Sequence, residues 1–154
     1  MHTSEVIIEE IFFSDKEMLS QAAGLVSEYS WGRDYPVSPL TEIERAEYCI
    51  GAFVNGQLIG FSSVGFAYSP DGADDDQVWF GHGVVVPAFR KQGIFRKMYE
   101  KQMAYAKGKF SCVFACSSNP VVQQFLAANG WEEVRETNDE KGDSLIVFRY
   151  SFSR

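Results

Sequence analysis

The sequence predicts one α/β (α+β) domain over residues 1–154, with a central mixed, mostly antiparallel twisted sheet of about seven strands flanked by about four helices. Three observations carry that expectation. Seven runs rich in β-branched and aromatic residues alternate with four stretches of helical spacing. Asn55-Gly56 separates two apolar runs, the strongest short-range hairpin signal in the chain. A strand, a basic loop with one glycine, an amphipathic helix and a second strand follow one another over residues 78–116. At 154 residues the chain can bury about 70% of the surface it exposes when unfolded, enough for one core and too little for two.

The elements follow in order. Val6-Ile7-Ile8 opens a run that continues to Phe12 and is closed by Ser14-Asp15, a first strand. Ser14 and Glu17 form a capping-box pattern, and Met18, Ala22, Leu25, Val26 and Tyr29 recur at helical spacing until Ser30-Trp31-Gly32. Residues 31–39 hold two prolines, two aromatics and an Arg33-Asp34 pair, a loop of the kind that carries specificity. Thr41 and Glu44 repeat the capping box for a short second helix, and residues 50–54 and 58–64 are the arms of the Asn55-Gly56 hairpin.

Pro70, Gly72 and the acidic Asp71, Asp74, Asp75 and Asp76 mark a solvated loop before a strand over residues 78–86. A helix over residues 94–107 turns Phe95, Met98, Tyr99, Gln102 and Ala106 inward, and residues 111–116 return as a strand. Asn119-Pro120 caps the next helix, Val122, Phe125 and Leu126 supply its inner face, and Asn129-Gly130 stops it. Two closing strands, residues 131–136 and 145–152, flank the polar turn of residues 138–143.

Charge narrows the function classes. A net charge of -7 opposes a nucleic-acid surface, which needs clustered surplus cations, and suits a cationic small partner. No apolar run approaches the ~20 residues of a spanning helix, and the Met1-His2-Thr3-Ser4-Glu5 start lacks a basic segment followed by an apolar one. The expected location is the cytoplasm, with no membrane partner. Cys49, Cys112 and Cys116 are an odd set; the last two, four apart on one strand face, lie roughly 13 Å from each other and cannot pair there. No His/Cys/Asp spacing argues for a metal.

The chemistry concentrates at Val85-Val86-Pro87-Ala88-Phe89-Arg90-Lys91-Gln92-Gly93-Ile94-Phe95-Arg96. A diphosphate needs several converging donors, which the N–H groups at a helix start supply while the helix dipole adds a favourable field. Gly93 lets the backbone approach a ligand, and Arg90, Lys91, Arg96, Lys97 and Lys101 gather cations in an otherwise acidic chain. Gly81-His82-Gly83, just upstream, places small residues where a strand bulges or a ligand comes close.

Residues 78–133 resemble the GNAT (Gcn5-related N-acetyltransferase) family. Arg90, Gly93 and Phe95 occupy its Gln/Arg-x-x-Gly-x-Gly/Ala loop behind a Val-x-Pro at Val85-Val86-Pro87, and Asn119 with Gly130-Trp131 matches its second segment. The resemblance implies a GNAT-like fold with splayed central strands and acetyl-CoA as co-substrate. It implies that Gly83, Val84 and Val85 pair with the pantetheine arm and that Lys91, Gln92, Gly93, Ile94, Phe95 and Arg96 hold the pyrophosphate. It also implies that Asn119, a further catalytic candidate, lies near the cofactor's sulfur end or an ordered water, besides capping its helix. The expected activity is direct transfer of an acetyl group to a primary amine of a small molecule or peptide, by a monomer or homodimer.

Two positions depart from the family. Phe95 stands where a second Gly or Ala is usual, so its ring must turn to the core. Leu126 stands seven residues after Asn119, where many members carry a tyrosine as general acid, so a proton must come from elsewhere. His82 is the candidate base, since its reference pKa near ~6.5 suits proton acceptance. Tyr29, Tyr35, Tyr68 and Tyr99 are other hydroxyl sources, Tyr29 and Tyr99 being on inward stripes. Two further readings are a non-catalytic acyl-CoA-binding sensor or scaffold and a basic face, from Arg90 to Lys101, that docks an anionic protein.

Overall fold

The computed structural model of the chain describes residues 5–66 and 68–152. The leader-free reading of the first four residues therefore lies outside the described residues, as does His2. Among the described residues, seven strands form one sheet: β1 (Val6–Ile11), β2 (Ala46–Val54), β3 (Gln57–Gly65), β4 (Trp79–Val85), β5 (Cys112–Ser117), β6 (Glu132–Asn138) and β7 (Ser144–Ser151). Their spatial order is β1-β2-β3-β4-β5-β7-β6, and every neighbouring pair is antiparallel except β4 with β5. The four α-helices are α1 (Lys16–Val26), α2 (Pro39–Ile43), α3 (Ile94–Lys107) and α4 (Pro120–Ala128). The architecture is thus the mixed, mostly antiparallel sheet that the sequence predicts.

Each face of the sheet is covered by the apolar stripe of a helix. Leu19, Ala22 and Val26 of α1, with Ile43 of α2, pack on Cys49, Phe61 and Val84. Ile94 and Met98 of α3 meet Ile50, Ala52, Ile59 and Val85 on the other side. Tyr99 and Ala106 extend that layer to Val64, Val78 and Val113 and to Leu126 and Trp131. Between β2 and β3, Asn55 (φ 50°) and Gly56 (φ 78°) are both left-handed, the pair of values a two-residue type I′ turn requires.

Three local expectations change. The cap of α1 is Asp15, not Ser14: its carboxylate accepts the Met18 N–H at 3.1 Å. The second helix begins at Pro39 rather than after Thr41, because Ser38 accepts the Thr41 N–H at 3.4 Å and proline presets the first helical φ without needing its missing N–H; Glu44 falls past the helix end. Tyr29 is turned out, 37% exposed, since α1 widens into a π-type turn at Ser27–Trp31 and the 3.6-residue stripe no longer holds there.

The acidic run before β4 is only partly solvated. Arg135 of β6 reaches Asp71 and Asp74, each at 2.9 Å, and pins the loop over the strand ends. The guanidinium holds the Asp71 carboxyl well below the usual carboxylate range. Among the described residues no helix is long and apolar enough to cross a membrane.

Candidate functional site

The site arises where two neighbouring strands part. β4 and β5 share a single aligned pair, Trp79 with Phe114, sealed by the Phe114 N–H donating to the Val78 carbonyl at 2.9 Å and by the two rings 5.2 Å apart. Trp79 is fully buried there. Beyond this point β5 moves away, and Gly83 lies exposed in the middle of a seven-stranded sheet.

A bulge shapes the same stretch. Phe61 faces Val84 and Ser63 faces Gly81, so His82 and Gly83 together oppose Ser62 alone. His82 takes φ 59°, a left-handed value that histidine tolerates better than most side chains. The extra residue bends β4 and sends both Gly81 and His82 to the α1 side. Gly81 has to be glycine: a Cβ there would meet the Tyr68 ring at 2.8 Å.

Past the bulge the ladder to β3 resumes. The Val86 N–H donates to the Ile59 carbonyl at 2.8 Å, and because strand groups alternate sides, the N–H and C=O of Val85 turn to the gap. Arg90 Nε donates to the Val85 carbonyl at 2.8 Å, leaving the Val85 N–H as an open donor. Of the three strand residues expected to meet pantetheine, Gly83 and Val85 face the gap, while the Val84 side chain is buried against α1. Arg90, expected among the phosphate-side cations, is a strut for the strand end.

The loop ends in a cradle of donors. Pro87–Phe89 make one 3₁₀ turn, then Lys91 (φ 63°) and Gly93 (φ 79°) are left-handed and Gly93 caps the 14-residue α3 without a side-chain bond. The Lys97 N–H is the one that reaches Gly93 O, at 3.1 Å, so those of Ile94, Phe95 and Arg96 have no acceptor within the helix. Lys91, Gln92, Gly93 and Arg96 are exposed beside them. The Phe95 ring turns away from this cradle as its place in the stripe demands, meeting Phe125 edge-on at 5.2 Å, and its nearest carbon stands 3.8 Å from where a Gly83 Cβ would be. Free donors at a helix start, continuous with an open strand edge, fit a pyrophosphate joined to an extended amide arm.

Asn119 caps α4: its Oδ1 accepts the Val121 N–H at 2.9 Å, and its own N–H donates to Ser117 Oγ at 3.0 Å. Asn119→Ala should lower stability by about 1 kcal/mol, read as a drop in Tm that Asn119→Ser largely restores.

His82 is 6% exposed, with Nδ1 2.6 Å from Ser63 Oγ, Tyr68 edge-on at 4.6 Å and Trp31 at 5.2 Å. Burial pushes its pKa down to about 3, so the value near ~6.5 assumed for a base does not apply to the folded ring, which is neutral at working pH.

The tyrosines separate. Tyr68 is packed against His82, and burial raises its pKa. Tyr35 lies on the rim, where its hydroxyl donates to Glu140 at 2.5 Å and Lys141 meets Asp34 at 3.4 Å, tying the loop after α1 to the β6–β7 turn. The Tyr99 hydroxyl accepts the Trp131 indole N–H at 2.8 Å inside the core, and Leu126, 4% exposed, is core as well. Cys116, raised to about 12 by burial, is no thiolate. Among the described residues no group of three or more His, Cys, Asp or Glu side chains gathers as for a metal ion. Ser63, Trp31 and Gln102 were not foreseen around His82; the one sequence signal was a polar Ser62-Ser63 pair inside an apolar strand.

The sheet with its internal gap, and the helix start beside that gap, are the framework of a coenzyme-A-dependent acetyltransferase. Residues 8–131 match the acetyltransferase (GNAT) family, and the chain belongs to that family, whose co-substrate is acetyl-CoA. No curated protein matches the sequence. Similar solved structures include the ribosomal-protein-S18-alanine N-acetyltransferase from Escherichia coli, at TM-score 0.73 and 16% identity, covering 97% of this chain and 96% of that one. Another is yncA from Salmonella typhimurium with its cofactor acetyl-CoA, at TM-score 0.70 and 16% identity over 96% and 94% of the two chains. A GNAT-family acetyltransferase from Streptococcus pneumoniae gives TM-score 0.72 and 14% identity over 97% and 100%. At these identities the likeness establishes the fold.

Proposed function

We propose that residues 1–154 act as one N-acetyltransferase domain that moves the acetyl group of acetyl-CoA directly to a primary amine of a small molecule or peptide. The observation that carries this reading is Gly83, exposed in a central strand beside a bulge and a helix start with free N–H groups. In this reading the N–H groups of residues 93–96, with Lys91 and Arg96, hold the pyrophosphate, and Gly83 and Val85 hydrogen-bond the pantetheine amides. Acetyl-CoA supplies a thioester carbon that a neutral amine attacks.

The chain's own contribution is then positional and electrostatic. A strand N–H that faces the gap near the bulge donates to the thioester oxygen as negative charge develops. Asn119 meets the sulfur end with the amide nitrogen that its cap bond leaves free. His82, neutral, accepts a hydrogen bond from the amine instead of taking a full proton from it.

Acetyl-CoA incubated with the protein and a panel of amines should release free thiol for at least one of them. The second reading, a sensor that binds the coenzyme without turnover, is favoured by Leu126, which puts a buried alkyl group where a proton donor would stand; tight coenzyme binding with no thiol release from any amine would establish it. Calorimetry that records no heat with coenzyme A would instead favour the basic face as a docking surface.

A further inference from the structure

Ser63 stands at the centre of a set of contacts that acetyl transfer, as described so far, leaves unused. It is fully buried on β3 beside the bulge, and its Oγ lies 2.6 Å from His82 Nδ1, 3.2 Å from the Gly81 carbonyl and 3.4 Å from the Tyr68 hydroxyl. From the opposite face of the sheet, Gln102 of α3 donates to the Ser63 carbonyl at 2.9 Å, a polar residue within that helix's apolar stripe with a backbone to hold. Tyr68 fills a slot between two glycines: a Cβ at Gly65 or Gly81 would come to 2.8 Å from its hydroxyl or ring. The groups that meet the imidazole are therefore Ser63, Tyr68 and Trp31, none of them charged at neutral pH.

Counting protons orders this cluster. The Tyr68 hydroxyl lies 3.4 Å from the Glu42 carbonyl, which can only accept, so its proton goes there. Ser63 has one proton and the Gly81 carbonyl as its own pure acceptor. One assignment gives each of the three protons an acceptor among the described residues: Nδ1–H of His82 donates to Ser63 Oγ, Ser63 O–H to Gly81 O, and Tyr68 O–H to Glu42 O. The ring lone pair falls on Nε2, the nitrogen on the side of the ring away from the Ser63 contact, to which no described residue donates.

We propose that Ser63 is a positioning residue: it holds His82 in the Nδ1–H tautomer and so presents Nε2, as a lone-pair acceptor, to an N–H of the acceptor amine beside Gly83. The amine partner rests on the acetyl-transfer reading; the tautomer does not. The hydrogen bond to Nε2 turns the amine's own lone pair toward the thioester carbon. The new C–N bond forms, the C–S bond breaks, and the proton shed by nitrogen ends on the coenzyme sulfur, so His82 begins and ends neutral.

Nitrogen-15 NMR of the histidine rings tests this on the wild-type protein. The chain has two histidines, and the His82 signal is identified by its loss in His82→Gln. The expected spectrum has Nδ1 protonated and Nε2 bare, unchanged between pH 8 and pH 5, with Ser63→Ala moving population to the Nε2–H form. Where the amine panel yields an acceptor, Ser63→Ala should lower kcat/KM for that amine about 10-fold without changing the coenzyme A dissociation constant. His82→Gln, whose amide oxygen reaches the Nε2 position, should keep more of kcat/KM than His82→Ala. A wild-type ring protonated on Nε2, or a Ser63→Ala spectrum identical to wild type, overturns the inference. Absence of thiol release from every amine overturns the acetyl-transfer reading instead and leaves the tautomer to decide the role of Ser63.

Discussion

Replacing Gly93 by glutamate should weaken coenzyme A binding at least about 100-fold, a loss of about 2.7 kcal/mol, while the protein still folds. The two halves of that statement come from separate observations. A Cβ at Gly93 would have no heavy atom within 4 Å, so the new side chain disturbs no packing. Its backbone is left-handed at φ 79°, and an L-residue there costs about 1–2 kcal/mol of stability. The carboxylate, however, projects from the cap of α3 beside the unpaired N–H groups of Ile94, Phe95 and Arg96, where a pyrophosphate would be repelled and displaced. Gly93→Ala separates strain from charge, since it carries the first without the second. Calorimetry on both variants is the measurement; a glutamate variant that binds like wild type would place the pyrophosphate elsewhere.

The second large effect is on stability in acid. The folded His82 has a pKa of about 3, against 6.5 for a free ring, so between those values the unfolded chain binds a proton that the folded chain refuses. Unfolding therefore takes up a proton in that window, and stability falls as pH falls from about 6.5 toward 3, with a limiting slope of about 1.4 kcal/mol per pH unit. Above pH 6.5 both states are neutral and the slope vanishes. His82→Asn is the comparison, because asparagine accepts the left-handed backbone and has no such proton to bind. Asp71, held low by Arg135, also weakens the fold on acidification, but in both proteins alike and at lower pH. Urea unfolding at several pH values from 7 to 4 should show wild type losing ground to the variant steadily below 6.5. A difference independent of pH would mean that His82 titrates in the folded protein.

What could be read in advance depended on the range of the interaction. Asn55-Gly56 was legible because a type I′ turn is decided by the two residues that make it. The bounds of α3 were legible because Gly93 and the stripe that follows it are consecutive in the chain, and the burial of Leu126 followed from its place on the next stripe. The bulge was only hinted at by Gly81 and Gly83, since a bulge is a mismatch in residue count between two strands, and His82 pairs across 19 positions with Ser63. The contacts of Arg135 with Asp71 and of Tyr35 with Glu140 span 64 and 105 positions, and no local pattern announces them. Tyr29 misled for a related reason: the helical period assumed for it stops at Val26, where the chain widens.

An ordinary open sheet of seven strands has two rims; this one has four. Below the Trp79–Phe114 contact, β4 and β5 each present backbone groups to the space between them, a pair of unpaired rims in the interior of the sheet. Such rims are templates for foreign strands, and proteins normally blunt them with charge, proline or a covering segment. Here the Arg90 strut occupies the Val85 carbonyl at one end of the opening, and the Phe95 ring stands beside Gly83. A bound pantetheine arm would complete the closure as a surrogate strand. Protein stripped of coenzyme is then the form exposed to self-association through its centre, and protein held with coenzyme the form that stores well in solution.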